Sequence, residues 1–166
     1  MKRALTIGCT IVFTAATAMA QDFVSRYMWE NKHDTLLHCV SVSPKMMEEV
    51  LKTDAKDEVQ EEMRNIMMDL KSMQIVSSQT KGDFYFNKAE KIIEKNINRF
   101  EPFISFNDSN ENCRIMVRKK EGVIIELVMF SHKNDHFRII NFTGCMNEHF
   151  IDNLAKTMIP KQEDKD

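Results

Sequence analysis

His132 and His136 are the residues of this chain best suited by type and spacing to do chemistry, because they flank Lys133-Asn134-Asp135 in the run SHKNDHF. A three-residue turn there would set two imidazoles opposite each other across a hairpin, and neutral imidazole is a common ligand for zinc and other transition metals. Two donors do not complete a site. Asp135 or Cys39 could add a third, yet no spacing requires either, so the competing reading is two polar residues beside a turn. His38 alternates with Leu36 and Val40 and is expected inside the core. His149 falls in the first turn of a closing helix, at the surface.

The cysteines offer little more. The four of them, Cys9, Cys39, Cys113 and Cys145, form no CxxC or CxxH element, which leaves a structural zinc site without support. Cys39 and His38 are strand neighbours that point to opposite faces, so they cannot act as nucleophile and base. Cys113 and Cys145 sit in apolar alternation, which raises a thiol pKa and favours buried free thiols. A meander that sets Cys113 opposite Val128, and Val128 opposite Ile139, leaves Cys145 six residues further on. That is about 20 Å at ~3.4 Å per residue, well past the roughly 7 Å between Cα atoms that a disulfide tolerates. No G-x-S-x-G, P-loop, G-x-G-x-x-G or H-E-x-x-H is present, and Gly82, Gly122 and Gly144 are too far apart for a phosphate cradle. Neither a catalytic residue nor a cofactor is expected.

The start of the chain carries an address. Met1-Lys2-Arg3 is basic, Ala4 to Ala18 is apolar or small, and Ala18-Met19-Ala20 has the A-x-A form that a signal peptidase cuts, between Ala20 and Gln21. The apolar stretch is shorter than the roughly 20 residues of a membrane span. Gly8-Cys9 resembles the end of a lipobox, but Thr6 stands where such boxes hold an aliphatic residue, so a cleaved signal is preferred to a lipid anchor at Cys9. A periplasmic or secreted protein follows. Of the 23 basic and 25 acidic residues, Lys2 and Arg3 leave with the signal, so the net charge moves from −2 to about −4 and nucleic acid is not an expected partner.

Hydrophobic period supplies the elements that must hold these residues. Residues 1–20 read as signal, 21–159 as one domain and 160–166 as a charged tail. Phe23, Tyr27 and Met28 suggest a short helix, Thr35 to Val42 a strand, and Ser43-Pro44 a helix start followed by Met46, Met47, Val50 and Leu51. Val59, Met63, Ile66, Met67, Leu70 and Met73 share one face of a predicted helix from Asp57 to about Met73. Gln74 to Thr80 reads as a short strand, and Phe84 to Arg99 as a helix that Pro102 stops. From Phe103 the period falls to 2, giving strands at Phe103 to Phe106, Cys113 to Lys119, Val123 to Ser131 and Phe137 to Thr143. Val123, Ile125, Leu127 and Met129 line one face of the third of these, and Ile124, Val128 and Phe130 the other, interrupted by Glu126 alone, so its strand belongs mid-sheet with the second face at least partly covered. Gly144 is expected to end the last strand, and Asn147 to cap a closing helix carrying Phe150, Ile151, Leu154, Ala155 and Met158. The fold class is α+β: an antiparallel sheet of about four C-terminal strands plus one or two earlier ones, with about four helices mainly on one face.

The order of Val40-Ser41-Val42-Ser43-Pro44-Lys45-Met46-Met47, Phe100 to Asp108, the hairpin around Arg118 to Leu127, and Ile139-Ile140-Asn141-Phe142-Thr143-Gly144 resembles the domain of unknown function 4252 family, small exported proteins of Bacteroides and relatives. The resemblance implies an exported α+β domain without an assigned activity or catalytic set. Residues and resemblance together lead to a non-enzymatic binding or structural domain of the bacterial cell envelope, its partner an envelope protein or a glycan. The alternatives are a metal-binding protein or metal-dependent hydrolase built on His132 and His136, and an envelope regulatory accessory protein. No other segment is long and apolar enough to span a bilayer, so no transmembrane span is expected after the signal, and the oligomeric state is left open.

Overall fold

Alternating apolar residues in the C-terminal half of the chain pair into the sheet on which everything else is laid. The computed structural model describes residues 21–54, 70–108 and 111–146. They form α1 (Phe23–Glu30), β1 (His38–Val42), α2 (Pro44–Asp54), β2 (Leu70–Ser78), α3 (Gly82–Glu94), β3 (Glu101–Asp108), β4 (Glu111–Lys120), β5 (Val123–Lys133) and β6 (His136–Met146). The six strands make one antiparallel sheet in the order β1-β2-β6-β5-β4-β3. The expected C-terminal meander is therefore present, with two earlier strands extending it from β6 outward.

Tight turns fix the register. Lys120 pairs with Val123 across Glu121 and Gly122, both at positive φ (53° and 81°), the conformation that two-residue hairpins favour because it matches strand twist. Lys133 pairs with His136, so the β5–β6 turn has two residues rather than three, with Asn134 at φ 53°. The register differs from that expected from sequence: the β5–β6 turn sets Val128 opposite Asn141, while the Glu121-Gly122 turn and the bulge beyond it set Val128 opposite Met116 and Cys113 opposite Ser131.

β5 is buried on both sides, as its two-faced apolar pattern implies, but a bulge at Ile125 changes which residue faces which way. Arg118 pairs with Glu126 and Lys119 with Ile124, so Ile125 is skipped and Ile124 joins Leu127 and Met129 on one face. One inserted residue inverts the alternation beyond it. Register also breaks between Leu70 and Ser72 on β2 and beside Gly144 on β6, so the irregularity runs as a line across four strands. Gly144, at φ 143°, does not end β6; it supplies the strained backbone of that line, and the strand continues to Met146.

Two cores result. On one face α1 and α3 bury Phe23, Tyr27, Tyr85, Phe86, Ala89 and Ile92 against Val76, Val128, Phe130, Phe137 and Ile139. On the other, Met47 of α2 packs with Ile115, Leu127, Met129, Ile140 and Phe142. The helices thus occupy both faces, not mainly one, and three are seen among the described residues. Residues 70–73 belong to β2 rather than to a helix: Leu70 and Met73 fit a 3.6-residue stripe, but hydrogen-bonded pairing with β6 decides their conformation. The remainder of that predicted helix and the closing helix, with His149, lie outside the described residues, as do the signal and the tail. α3 is shorter than expected, ending at Glu94. β1 starts at His38, not Thr35, and His38 is exposed because β1 is the outermost strand.

α1 is held by capping at its first turn. Asp22 accepts the Ser25 amide at 2.7 Å, and the fully buried Glu126 carboxylate accepts the Phe23 amide at 2.6 Å through Oε1. Arg118 Nε and Nη2 each lie 2.7 Å from Glu126 Oε2, so both oxygens of this buried acid are engaged. Breaking a buried pair of this kind costs about 3–5 kcal/mol.

The only two tyrosines of the chain join α1 to α3: Tyr27 OH donates to the Tyr85 carbonyl at 3.1 Å, and Tyr85 OH to Asp34 Oδ2 at 2.9 Å. Burial raises both phenols, Tyr85 to about 12, with the Asp34 bond adding to the effect. A raised folded-state pKa stabilises the fold fully below the ordinary phenol value of about 10 and ceases to do so as pH climbs through the folded value. Tyrosinate absorbance should therefore stay silent until about 12 in the native protein and rise together with loss of the circular dichroism signal. A separate, fully reversible ionisation near the ordinary value would show that the phenols are not buried.

Candidate functional site

The polar groups that the two cores do not absorb gather where α3 crosses β3, β4 and β5. Cross-strand pairing of β4 with β5 sets Asn112 beside His132, and α3 brings Asp83, Asn87 and Glu90, three and four residues apart, onto the same side. They line a cavity of about 220 Å³ together with Phe86, Ser105, Asn107 and Arg114. Glu90 Oε1 meets Arg114 Nε at 2.6 Å, which fixes a charged pair at the rim.

α3 is positioned by contact at its start. Lys81 adopts a left-handed conformation (φ 57°), and the buried Gly82 lies so close to the β5–β6 turn that a Cβ there would come 2.7 Å from the Asn134 carbonyl oxygen. That approach brings Asp83 Oδ1 within 3.2 Å of His132 Nε2. Asp83 is largely exposed, so its attraction contributes little energy, but it decides the proton's location. A carboxylate only accepts hydrogen bonds, so Nε2 carries the hydrogen. The Asn112 amide group 2.7 Å from Nε2 must then present its oxygen, since amide O and N are assigned from such networks. The atoms of the pair that the structure leaves without a protein partner are His132 Nδ1 and Asn112 Oδ1; with the amide turned to present its oxygen to Nε2, the Asn112 NH₂ takes the place of that oxygen. His132 is 8% exposed, and Phe86 packs edge-on against its ring at 5.0 Å.

The remaining candidates separate. His136 is adjacent to Phe137, which is the residue paired with His132, so strand alternation turns His136 to the opposite face, where it is exposed. The two imidazoles do not meet, for the two-residue turn replaces the three-residue one that would have opposed them. Among the described residues no three His, Cys, Asp or Glu side chains converge as metal ligands. Cys39, Cys113 and Cys145 are free; Cys39 and Cys145 are exposed rather than buried, because the strand edge and the bulged end of β6 leave them uncovered. Cys113 is partly buried, packs against the second core and is also among the residues lining the cavity, and burial pushes its thiol up to about 11. No serine, threonine or cysteine hydrogen-bonds to His132 among the described residues.

A second depression, of about 380 Å³, lies beside Asn31, Asp34 and Lys88, but its polar groups already satisfy one another. Lys88 Nζ donates to Asn31 Oδ1 at 2.6 Å, and Asp34 takes both Tyr85 OH and the Leu36 amide, the latter bond being the main reason its carboxyl is held below the usual range. Of these two depressions, the cavity at His132 is the one lined by partnerless polar groups.

Two outcomes test this geometry. Long-range proton–nitrogen spectra should place the His132 proton on Nε2, and protonation at Nδ1 alone would refute the amide assignment. Gly82→Ala should destabilise the fold by about 1–3 kcal/mol, the cost of overpacking, and a melting temperature equal to wild type would show that α3 is not pressed against the turn.

No curated protein and no solved structure matches the chain. One family profile does, that of a domain of unknown function (DUF4252), over residues 27–154, which take in every described strand and helix from the middle of α1 onward, and the chain therefore belongs to that family.

Proposed function

We propose that this chain is an exported, non-enzymatic binding domain of the bacterial cell envelope whose ligand is a small hydroxylated molecule, a glycan residue being the envelope chemistry that fits. The observation that supports it is a pair of partnerless groups on residues that line the 220 Å³ cavity, His132 Nδ1 and one end of the Asn112 amide, the NH₂ donor once the amide oxygen faces Nε2. A hydroxyl accepts and donates at once and matches both. The Glu90–Arg114 pair at the rim offers the planar carboxylate and guanidinium that bind vicinal hydroxyls through two hydrogen bonds. Export rests on the basic start, the apolar stretch and the Ala18-Met19-Ala20 cleavage pattern. Binding without turnover rests on an imidazole that has a carboxylate and an amide beside it but no serine, threonine or cysteine hydrogen-bonded to it among the described residues.

Intact-mass measurement of the protein secreted by its host should give a chain beginning at Gln21, and a mass carrying diacylglycerol on Cys9 would replace secretion by anchoring. Titration with monosaccharides and envelope oligosaccharides should shift His132 and Asn112 resonances, and Asn112→Leu should weaken that binding about tenfold or more, the effect of losing one to two hydrogen bonds. Turnover of any such sugar, abolished by His132→Ala, would overturn the non-enzymatic reading.

A further inference from the structure

The two edges of the sheet are built differently. β3 is protected in the ways that edge strands usually are: Pro102 lacks an amide hydrogen, the register slips between Pro102 and Ile104, and Glu101 carries a charge paired with Lys119 at 3.4 Å. β1 has none of these. Its five residues His38-Cys39-Val40-Ser41-Val42 include no Lys, Asp, Glu or Pro, and they pair with β2 without a single irregularity. No described strand lies beyond it, and four of the five are exposed, Val40 to 57%.

We propose that β1 pairs with β1 of a second copy of this chain, antiparallel across a two-fold axis, so that two sheets become one. The edge is self-complementary in the way such an axis demands. Exposed apolar residues stand at both ends of the strand, Leu36 (41%) before it and Met46 (55%) after it. Antiparallel pairing brings the start of one β1 to the finish of the other, so each Leu36 approaches the partner's Met46 while the two Val40 side chains meet near the axis. A strand without charge brings no like charges together when it meets its own copy. The amides and carbonyls along the outer side of β1 gain partners in the same step. This pairing does not depend on the ligand of the cavity, which lies between α3 and strands β3 to β5.

Sedimentation velocity of the purified protein over a wide concentration range should show a reversible monomer–dimer equilibrium. Val40→Lys, which sets two ammonium groups at the axis, should weaken association about tenfold or more while leaving circular dichroism and melting temperature of the monomer unchanged. In a background of Cys9→Ser and Cys145→Ser, a short bismaleimide should join Cys39 to Cys39 of the second copy, a covalent link that reports the pairing even where the lysine variant fails to fold. A protein that stays monomeric throughout, a Val40→Lys dimer as tight as wild type, or a dimer that the reagent does not capture through Cys39 would each overturn the proposal.

Discussion

A single buried carboxylate sets the geometry of one side of this protein. Glu126 sits fully buried in the central strand β5, and its two oxygens face in two directions: Oε2 takes the Arg118 guanidinium from β4, and Oε1 takes the Phe23 amide from the first turn of α1, 103 residues away in sequence. Burying a carboxylate without partners is prohibitive, so the donors that Glu126 needs hold the first turn of α1 in place. With Phe23 placed, its ring packs against Phe100 and Phe130, at centroid distances of 6.0 and 6.3 Å. Tyr27 then lies over Phe137, and its hydroxyl reaches α3 through the Tyr85 carbonyl. α3 in turn carries Asp83 and Glu90, two of the charges around the cavity. The polar site is thus reached from Glu126 through a continuous chain of contacts, none of which is adjacent in sequence.

The same residue also explains the bulge. A strand that buries apolar side chains on both faces has room for one acid only where a cation and a donor are available, and strict alternation would set Ile124 on the face of Glu126. Skipping Ile125 turns Ile124 into the second core with Leu127 and Met129, and leaves Glu126 opposite Arg118. The displacement propagates to Gly144 on β6, whose φ of 143° is open to glycine and strained for other residues. A local requirement for charge pairing thereby sets the backbone of two neighbouring strands.

Much of the sheet was legible in the chain because its signals are local. Period-2 alternation gave the four C-terminal strands, and Glu121-Gly122 gave the hairpin turn. The misreadings arose where a non-local partner decides. Leu70 and Met73 satisfy a helical stripe, yet residues 70–78 pair with β6, a partner some 70 residues later. Residues 133–135 read as a three-residue turn until Lys133 is seen to pair with His136, and that one-residue difference separates His132 from His136. Of the candidate site, sequence singled out His132 alone. Asn112 and Arg114 alternate with the apolar residues of β4, and Asp83, Asn87 and Glu90 have helical spacing, but only the crossing of α3 over the sheet joins the two sets. The pattern that would have exposed them is the polar interruption of a strand face that is otherwise apolar.

The cavity is where the economy of the fold is relaxed. Elsewhere among the described residues most buried polar groups are paired: Asn31 bonds the Tyr27 carbonyl at 2.7 Å, Ser78 the Thr80 carbonyl at 3.0 Å, and Glu126 uses both oxygens, Asn141 Oδ1 being the exception. At His132 and Asn112 a donor and an acceptor go unused, and each such group costs about 1–3 kcal/mol when removed from water without a partner. Phe at position 132 would keep the ring contact with Phe86 and remove the imidazole's share of the cost, leaving the Asn112 amide as the group still to be satisfied. Stability alone gives no reason for an imidazole there, whereas a molecule that supplies one acceptor and one donor recovers the loss on binding. That differential is the physical basis on which this pocket can select a hydroxylated ligand over an apolar one of equal size.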